Sequence, residues 1–523
     1  MSADLVLINA SVQSMNPRQP IFQAVAIRKN KIVKVGTNQE IKTLIGETTK
    51  IIDLNGKTIV PGLIDTHIHV ADFGKCLLWL DLTRAKSIKE LQNLLRKKAK
   101  QTPSGCWIIG RGWNPDRFKE KRFLNISDLD VAAPNNPVIF YHETAMICAV
   151  NSVALKLAGI TVETPGPSGG TVDKNLKTGK LTGILRDSAI NMVWKVVPDP
   201  REDELLDATA LACQKLVEAG LTSVHWIMLS ENEISIIKKL HDEGRLLVRV
   251  NVIVPIEFLE KTVGFPTSDN LMLHVGGSLI AVDGYLDSKT AALSKPYSND
   301  PNNNGKLLYT TQSLSTSIGR VLAKGFQPIV QAMGDKAVDT ALNAIEQMAK
   351  QASGKSVRFR IEQAALLNSQ LAKRLKTQKI VVSVQPKVIA TEFSVWSATE
   401  NLGIERAKWL HPLRTLLNEG VKVVGGSDCP MEPLNPLLGI EAAVLREDFP
   451  EQRLSVKEAL YMYTIDAAYS SGEEALKGTI EVGKLADLVV LSHNPMDTPT
   501  NEIKNINVEM TVVDGKVVYS KYS

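Results

Sequence analysis

The chain has 523 residues, of which 44% are hydrophobic and 22% are charged, and these proportions exclude disordered and fibrous classes of protein. Its 61 Lys and Arg residues outnumber its 56 Asp and Glu residues only slightly, for a formal net charge of +5, so binding of nucleic acid or of an anionic membrane receives no support. The five cysteines are scattered and lack CxxC spacing, and the start of the chain lacks a signal-peptide pattern, so we predict a cytoplasmic protein. No apolar run reaches about 18 residues, so we predict no membrane span.

Both ends of the chain have the pattern of short β-strands. Apolar and polar residues alternate along segments of residues 1–58, and turn signals such as Asn55-Gly56 separate these segments. Residues 478–523 repeat this pattern around a hairpin turn at Asp514-Gly515. Because neither end has enough apolar residues for a core of its own, we predict that the two ends pair into one small domain.

Between these ends, residues 59–477 alternate buried strands with amphipathic helices. Eight near-continuous apolar strands in this arrangement are typical of a parallel (β/α)₈ barrel, so the predicted fold class is α/β. The predicted barrel strands are 58–69, 222–227, 248–254, 278–286, 327–332, 357–364, 380–386 and 421–428. About 150 residues separate the first two strands, which is too long for a simple connection, and we therefore predict an inserted lid subdomain at about 70–205.

The most specific short motif is Asp65-Thr66-His67-Ile68-His69, at the carboxyl end of the first predicted barrel strand. Residues two apart on a strand point to the same face, so both imidazoles project into the mouth of the barrel, where barrel enzymes have their active sites. Neutral imidazole is a common ligand of zinc. The alternative is a pair of hydrogen-bonded core histidines, but the chain has only eight histidines, and two at this spacing favour a metal site.

Asp428 follows the last predicted barrel strand in the segment Gly425-Gly426-Ser427-Asp428. A carboxylate there is either a metal ligand and general base, or the N-cap of the next helix. The first interpretation requires that this strand lies beside the strand of His67 and His69, as closure of an eight-stranded barrel demands. His225, near the end of the second barrel strand, is a further candidate, either as an additional ligand or as a residue packed at the mouth.

Longer segments spread along the chain carry a more specific signal. They are PGLIDTHIH (61–69), GRGW (110–113), NSVAL (151–155), LTGILRD (181–187), DGYLDSKTAAL (283–293), GDKAVDTAL (334–342), GSDCPMEPLNPL (426–437), GTIEVGKLADLVVL (478–491) and VVDGKVV (512–518). Together they resemble the amidohydrolase superfamily, and within it amidohydrolase family 3, the branch that includes N-substituted formamide deformylases. The resemblance implies a metal-dependent TIM-type barrel, flanked by a β-sandwich built from both termini. It also implies hydrolysis of an amide, imide or related C–N bond, with the aspartate of the last strand handling the proton.

Four positions depart from the family pattern. Gln331 and Gln363 stand where the fifth and sixth strands of the family usually end in metal-binding histidines. Leu279 stands where the fourth strand often has a lysine that bridges two metal ions once it is carboxylated, and Met146 replaces a histidine on the substrate side. Because a neutral amide is a poor ligand for a zinc-class ion, we expect no binuclear centre.

His67, His69 and Asp428 remain, and they suffice for one catalytic ion, because zinc sites commonly use three protein ligands. We therefore predict a hydrolase that holds one divalent metal ion, zinc or else iron or manganese, and cleaves a C–N bond of a small-molecule substrate with Asp428 as catalytic residue. The alternative is a catalytically silenced relative that keeps the fold as a binding or scaffold protein. Nucleic acid and membrane are not expected partners, and a homodimer is left open.

Overall fold

The structure is a computed structural model that describes residues 2–144, 146–167, 169–262, 265, 270–351 and 357–521. The chain divides into two compact units, Met1–Phe73 together with Thr209–Ser523, and Gly74–Ala208. The first unit contains an eight-stranded sheet and two sheets near the chain ends, and the second contains a sheet of its own. Among the described helices, none has the length and apolar character needed to cross a membrane.

Seven strands precede the barrel. They are β1 (Leu5–Ile8), β2 (Ser11–Gln13), β3 (Ile21–Phe22), β4 (Ala24–Arg28), β5 (Lys31–Gly36), β6 (Lys50–Asp53) and β7 (Thr58–Pro61), with helix α1 (Asn38–Lys42) between β5 and β6. One four-stranded sheet has the order β5-β4-β1-β6, and β7, β2 and β3 belong to a second sheet. A capping box starts α1, because the Thr37 hydroxyl accepts from the Glu40 N–H while the Glu40 carboxylate accepts from the Thr37 N–H.

The first barrel strand, β8 (Leu63–Ile68), follows β7 after the single residue Gly62. The segment 58–69, predicted as one barrel strand, is therefore divided between two sheets. A Cβ atom on residue 62 would lie 2.0 Å from Thr222 Oγ1, so only glycine permits this close approach. The N–H of Gly62 also donates to the Asp487 carbonyl at 2.8 Å, a bond outside the barrel sheet that holds the division in place.

The unit Gly74–Ala208 has a six-stranded mixed sheet of order β13-β14-β12-β11-β10-β9. Its strands are β9 (Leu80–Asp81), β10 (Ile108–Trp113), β11 (Val138–His142), β12 (Ile147–Val150), β13 (Gly170–Lys174) and β14 (Leu181–Asp187). Helix α2 (Val70–Leu78) leads into the unit, which also has α3 (Ile88–Gln101), α4 (Ile126–Asp130), α5 (Ser152–Leu157) and α6 (Ile190–Trp194). Trp113, Phe118 and Phe140 are fully buried on one side of this sheet, so the unit has a hydrophobic core of its own.

The barrel sheet has eight parallel strands in the order β21-β20-β19-β18-β17-β16-β15-β8. After β8 the strands are β15 (Leu221–Ile227), β16 (Arg249–Pro255), β17 (Leu273–Ala281), β18 (Gln327–Ala332), β19 (Arg360–Gln363), β20 (Val381–Val384) and β21 (Lys422–Gly425). The ring closes where the Asp428 N–H donates to the His67 carbonyl at 2.8 Å and the His69 N–H donates to the Cys429 carbonyl at 3.0 Å. The predicted (β/α)₈ TIM-type fold is confirmed.

Helices connect the barrel strands and follow the last of them. They are α7 (Glu202–Glu218), α8 (Glu233–Asp242), α9 (Thr311–Ala323), α10 (Asp335–Gln351), α11 (Ser369–Thr377), α12 (Pro386–Ser394), α13 (Ala398–Leu402), α14 (Ile404–Ala407), α15 (Leu413–Glu419), α16 (Pro436–Leu445), α17 (Val456–Met462) and α18 (Ile465–Ser470). Strand β17 begins at Leu273 rather than at residue 278, so His274 lies in a strand although its sequence context suggests a loop. Gly276 and Gly277 obscure the strand pattern there, and a Cβ on residue 276 would lie 1.9 Å from Asn251 Oδ1.

The carboxyl-terminal strands β22 (Leu488–Leu491), β23 (Val508–Val513) and β24 (Lys516–Ser520) complete a six-stranded sheet of order β24-β23-β22-β7-β2-β3. Strand β22 pairs antiparallel with β7, with Leu488 opposite Pro61. Side chains from the two chain ends, among them Leu7 and Val490, share one hydrophobic core. Elements from both ends of the sequence thus pack together, next to the strand that enters the barrel.

Candidate metal centre

The end of β8 is fixed by a buried carboxylate that is not a candidate ligand. Asp65 Oδ1 accepts hydrogen bonds from the backbone N–H groups of His67 and Ser427, both at 3.0 Å. Burial raises the pKa of Asp65 to about 6. Gly426 allows the two strand ends to approach, since a Cβ at that position would lie 2.6 Å from His67 N. Asp65 therefore joins the first and last barrel strands at the level of the two histidines.

Both histidines are held in a defined tautomer. The Nδ1 of His69 lies 2.9 Å from the carbonyl of Ile227, which only accepts, so Nδ1 carries the proton and donates. The Nδ1 of His67 donates in the same way to Glu362 Oε2 at 2.8 Å. In each ring the Nε2 atom faces Asp428, at 3.5 Å from Oδ1 for His67 and 3.3 Å for His69. Both Nε2 atoms thus present a lone pair for a metal ion once they carry no proton.

Asp428 approaches the histidines because barrel closure brings its backbone to them. Its φ of 57° lies in the left-handed region, directly after the close approach at Gly426. The alternative role as a helix cap is not observed, because the next helix, α16, begins at Pro436 and is capped by Asn435. Burial disfavours the charged form of Asp428, but His67 and then His69 outweigh it and hold its pKa well below the usual range.

The same charges act on His67. Burial opposes its protonation, but Asp428 and then Glu362 outweigh this effect and raise the pKa of His67 to about 10. The arrangement therefore strongly favours a positive charge close to Asp428 and Glu362. A proton on His67 supplies that charge, and a divalent cation in the same place supplies more of it.

The donor atoms of three side chains form a possible metal site. One ligand atom each from His67, His69 and Asp428 lies within 4.8 Å of the others. The ligand atoms of a tetrahedral zinc ion lie about 3.3–3.4 Å apart, given bond lengths of about 2.0–2.1 Å, and the two Nε2–Oδ1 distances of 3.5 and 3.3 Å are close to this value. The structure therefore brings together the three residues that the sequence proposes as ligands.

A buried charge pair behind His67 was not predicted from the sequence. Arg360 and Glu362, on β19, are both 0% exposed and form an ion pair. The guanidinium also contacts the Thr66 carbonyl and donates to Ser383 Oγ at 3.2 Å. Glu362 precedes the position where the family motif has its histidine, and nothing in its spacing from His67, 295 residues away, indicates their contact.

His225 is engaged elsewhere. It is fully buried on β15, and its Nδ1 accepts a hydrogen bond from Arg360 Nη1 at 2.7 Å. Burial, and then the charge of Arg360, lower the pKa of His225 well below its usual value, so the ring is neutral. Among the described residues, His225 does not belong to the ligand group of His67, His69 and Asp428.

The positions that depart from the family pattern have different surroundings. Leu279 packs against an apolar cluster of Ile227, Ile253 and Ile329, on neighbouring barrel strands. Gln331 lies near the end of β18 and is 7% exposed. Gln363 ends β19 and is 4% exposed, and its Oε1 has no hydrogen-bond partner within the described residues.

Met146 belongs to the inserted unit and is 43% exposed just before β12. The structure thus accounts for Leu279 as part of an apolar cluster and leaves the two glutamines as polar groups at strand ends.

Comparison with known proteins assigns the chain to a family. Residues 50–519 match the model of the amidohydrolase family. The chain is 32% identical to the protein YtcJ of Bacillus subtilis, over 95% of this chain and 96% of that protein, and 27% identical to the N-substituted formamide deformylase of Arthrobacter pascens, over 99% and 98%. A crystal structure of a metal-dependent hydrolase from Pyrococcus furiosus covers 94% of this chain and 100% of its own, with a TM-score of 0.78 and 29% identity. With its barrel, its terminal sheets and its His-His-Asp cluster, the chain belongs to the amidohydrolase family.

Proposed function

We propose that this protein hydrolyses a C–N bond of a small, non-peptide amide or related compound at a single divalent metal ion, with zinc as the first candidate. The observation that carries the proposal is the pair of imidazoles whose Nδ1 protons are engaged and whose Nε2 atoms face one carboxylate. His67, His69 and Asp428 would hold the ion. When bound, such an ion supplies a Lewis acid that polarises a carbonyl and lowers the pKa of water.

Asp428 is the candidate for proton transfer. Hydrolysis of an amide requires a group that takes a proton from the attacking water and a group that gives one to the leaving nitrogen. An aspartate side chain is a carboxylate at neutral pH, which is the form that accepts a proton. Its position beside the Nε2 atoms of both imidazoles supports this role, because water and substrate held by an ion there would lie next to it.

We infer a single ion because the positions that a second ion would need lack good ligands. Leu279 offers no donor and is part of an apolar cluster, and Gln331 and Gln363 offer only neutral amides. The relative from Arthrobacter pascens is a deformylase of N-substituted formamides, so these compounds are the first substrates to test.

The test combines metal analysis with turnover. We expect protein purified without chelator and supplied with zinc to bind one ion per chain, and to release amine from an N-substituted formamide or another small amide. Asp428→Asn should lower turnover by at least a hundredfold, and His69→Ala should lower the metal content as well. His241→Ala, on helix α8, removes a histidine outside the cluster and should change neither. One bound ion without turnover of any amide would favour a silenced binding protein, and no bound ion would overturn the proposal.

A further inference from the structure

We propose that Glu362 is a positioning residue for the metal ligand His67, and that Arg360 in turn fixes Glu362. The proposal rests on the proposed function, because it concerns the same ion. It assigns to β19 a role in the metal centre although Gln363 replaces the histidine with which this strand usually ends.

The contact itself is well defined. Glu362 Oε2 lies 2.8 Å from His67 Nδ1, and the two side chains are 0% and 4% exposed. Without competing solvent, the carboxylate keeps a proton on Nδ1, so that Nε2, the atom that faces Asp428, is the nitrogen that loses its proton when it binds an ion. A carboxylate behind a ligating histidine also raises the basicity of the ring, and loss of such a partner typically weakens metal binding about 10- to 100-fold.

Arg360 keeps this carboxylate from turning away. Its guanidinium contacts Glu362 on β19, the Thr66 carbonyl on β8, Ser383 Oγ on β20 and His225 Nδ1 on β15. These contacts with residues on four strands fix the orientation of the planar guanidinium. Its positive charge also compensates the charge of the buried carboxylate. The strand ends β8 and β19, which are not neighbours in the sheet, are thus connected through side chains behind the metal centre.

The same contacts argue against a direct role for Glu362. One carboxylate oxygen lies against His67 and the other against Arg360, and the side chain is fully buried. Glu362 is therefore neither a metal ligand nor a proton acceptor for substrate in this arrangement. Its effect on the ion has to pass through His67.

The chain contains a matched control for this pair. His411 Nε2 lies 2.8 Å from Glu392 Oε2, and both side chains are buried, at 0% and 10% exposure. Among the described residues this pair does not belong to the His67-His69-Asp428 group. Replacing either glutamate by glutamine leaves an amide oxygen that accepts from the imidazole, but removes the negative charge.

The experiment measures the affinity for zinc alone, by competition with a chromophoric chelator at several pH values. We expect Glu362→Gln to weaken zinc binding by 10- to 100-fold. The pH dependence of its zinc affinity should also change, because His67 loses its anionic partner. The zinc affinity of Glu392→Gln should stay within twofold of that of the natural chain. If the natural chain binds no zinc, the proposed function fails. If it binds zinc and Glu362→Gln binds equally well, only the positioning role is overturned.

A second variant separates positioning from stability, because Glu362→Gln leaves the charge of Arg360 buried and unpaired. The double variant Glu362→Gln with Arg360→Met removes both charges. We expect its metal-free thermal midpoint to exceed that of Glu362→Gln alone, while its affinity for zinc remains at least tenfold below that of the natural chain. Recovery of full zinc affinity in the double variant would show that the carboxylate matters only for folding, and would overturn the inference.

Discussion

Two residues at the end of β19 adopt an unusual backbone conformation. Gln363 has a φ of 68° and Ala364 has a φ of 43°, so both lie in the left-handed region that favours glycine. Each such residue costs about 1–3 kcal/mol, and these conformations cluster at functional sites. The strain falls where the family usually places a ligand, and the Gln363 Oε1 atom there is buried without a partner in the described part of the chain. The strained backbone therefore coincides with a position at which the family resemblance implies a ligand.

The family resemblance makes Gln331 and Gln363 testable as ligand positions. The double variant Gln331→His with Gln363→His should bind zinc at least tenfold more tightly than the natural chain, or bind an additional ion, because imidazole donates to zinc far better than an amide oxygen does. Metal stoichiometry and thermal midpoint, measured in one buffer, check this prediction. Gln327→His, at the other end of β18, is the control and should leave the metal content unchanged.

An unchanged metal content with a lowered midpoint in the double variant would contradict that expectation. It would show that the surroundings of the two glutamines favour the amides over imidazoles. Leu279 offers a comparison, since it packs against Ile227, Ile253 and Ile329, an apolar setting in which a ligand side chain would lose contacts.

The residues of the centre differ in how far the sequence reveals them. His67 and His69 are recognisable because residues two apart share one face of a strand, and Asp428 because a closed barrel places its last strand beside its first. The structure brings these three together, and their role as ligands remains a prediction. Glu362 and Arg360 carry no local signal, because their partners lie on strands that are distant in sequence and only packing brings them into contact.

Among the elements, helix α17 shows how a surface helix is tied to its neighbours. Its N-cap, Ser455, forms a capping box with Glu458, whose carboxylate accepts from the Ser455 N–H at 2.7 Å. Arg414 on α15 donates two hydrogen bonds to the same carboxylate, both at 2.7 Å. Arg414 and then Ser455 lower the pKa of Glu458 to about 2, against the modest opposing effect of burial.

This lowered pKa predicts a loss of stability in acid. The carboxylate stabilises the fold fully above its unfolded pKa of about 4.5, and the contribution disappears as the pH falls towards 2. Because Glu458 is about one-third exposed, we expect it to contribute only about 1 kcal/mol. Glu458→Gln should therefore lower the urea midpoint at pH 7 but change it little at pH 2. An equal loss at both pH values would indicate that packing, rather than charge, carries the effect.

The boundaries of elements were harder to predict than their existence. The eight barrel strands follow from apolar runs between helical segments, and the barrel is confirmed. The division at Gly62 was missed because apolar residues continue from Ile59 to Ile64 on both sides of it, and only the contact with Thr222 shows where one sheet ends and the next begins. The early start of β17 was missed because glycines that admit Asn251 look like a loop in the sequence.

For the molecule as a whole, a buried ionic cluster connects the barrel to the carboxyl-terminal strands. Arg249 on β16, with its side chain 2% exposed, donates to Asp487 at 2.6 and 3.0 Å and to Asp514 at 2.9 Å. Asp487 is equally buried, whereas the side chain of Asp514 is 34% exposed. The two aspartates therefore differ mainly in how far water could take over their hydrogen bonds to Arg249.

Their removal should have unequal effects. Asp487→Ala leaves the buried Arg249 charge with Asp514 as its carboxylate partner and with the neutral Leu271 carbonyl, so we expect it to lower the free energy of unfolding by about 3–5 kcal/mol. Asp514→Ala should cost about 1 kcal/mol, since water reaches that site. Unfolding in urea, followed by circular dichroism, checks both values. Similar small losses for the two variants would show that the cluster is dispensable for holding the terminal strands to the barrel.

The junction at Gly62 has a consequence for the order in which the protein is assembled in the cell. Among the described strands, β7 pairs antiparallel with β22, and it runs within a few residues into the strand that bears His67. During synthesis, the segment that carries His67 is made early, and this pairing of its flanking strand has to wait until residues 488–491 have left the ribosome. We therefore expect the junction to be anchored completely only at the end of synthesis, and under the proposed function uptake of the ion would be a late step of maturation.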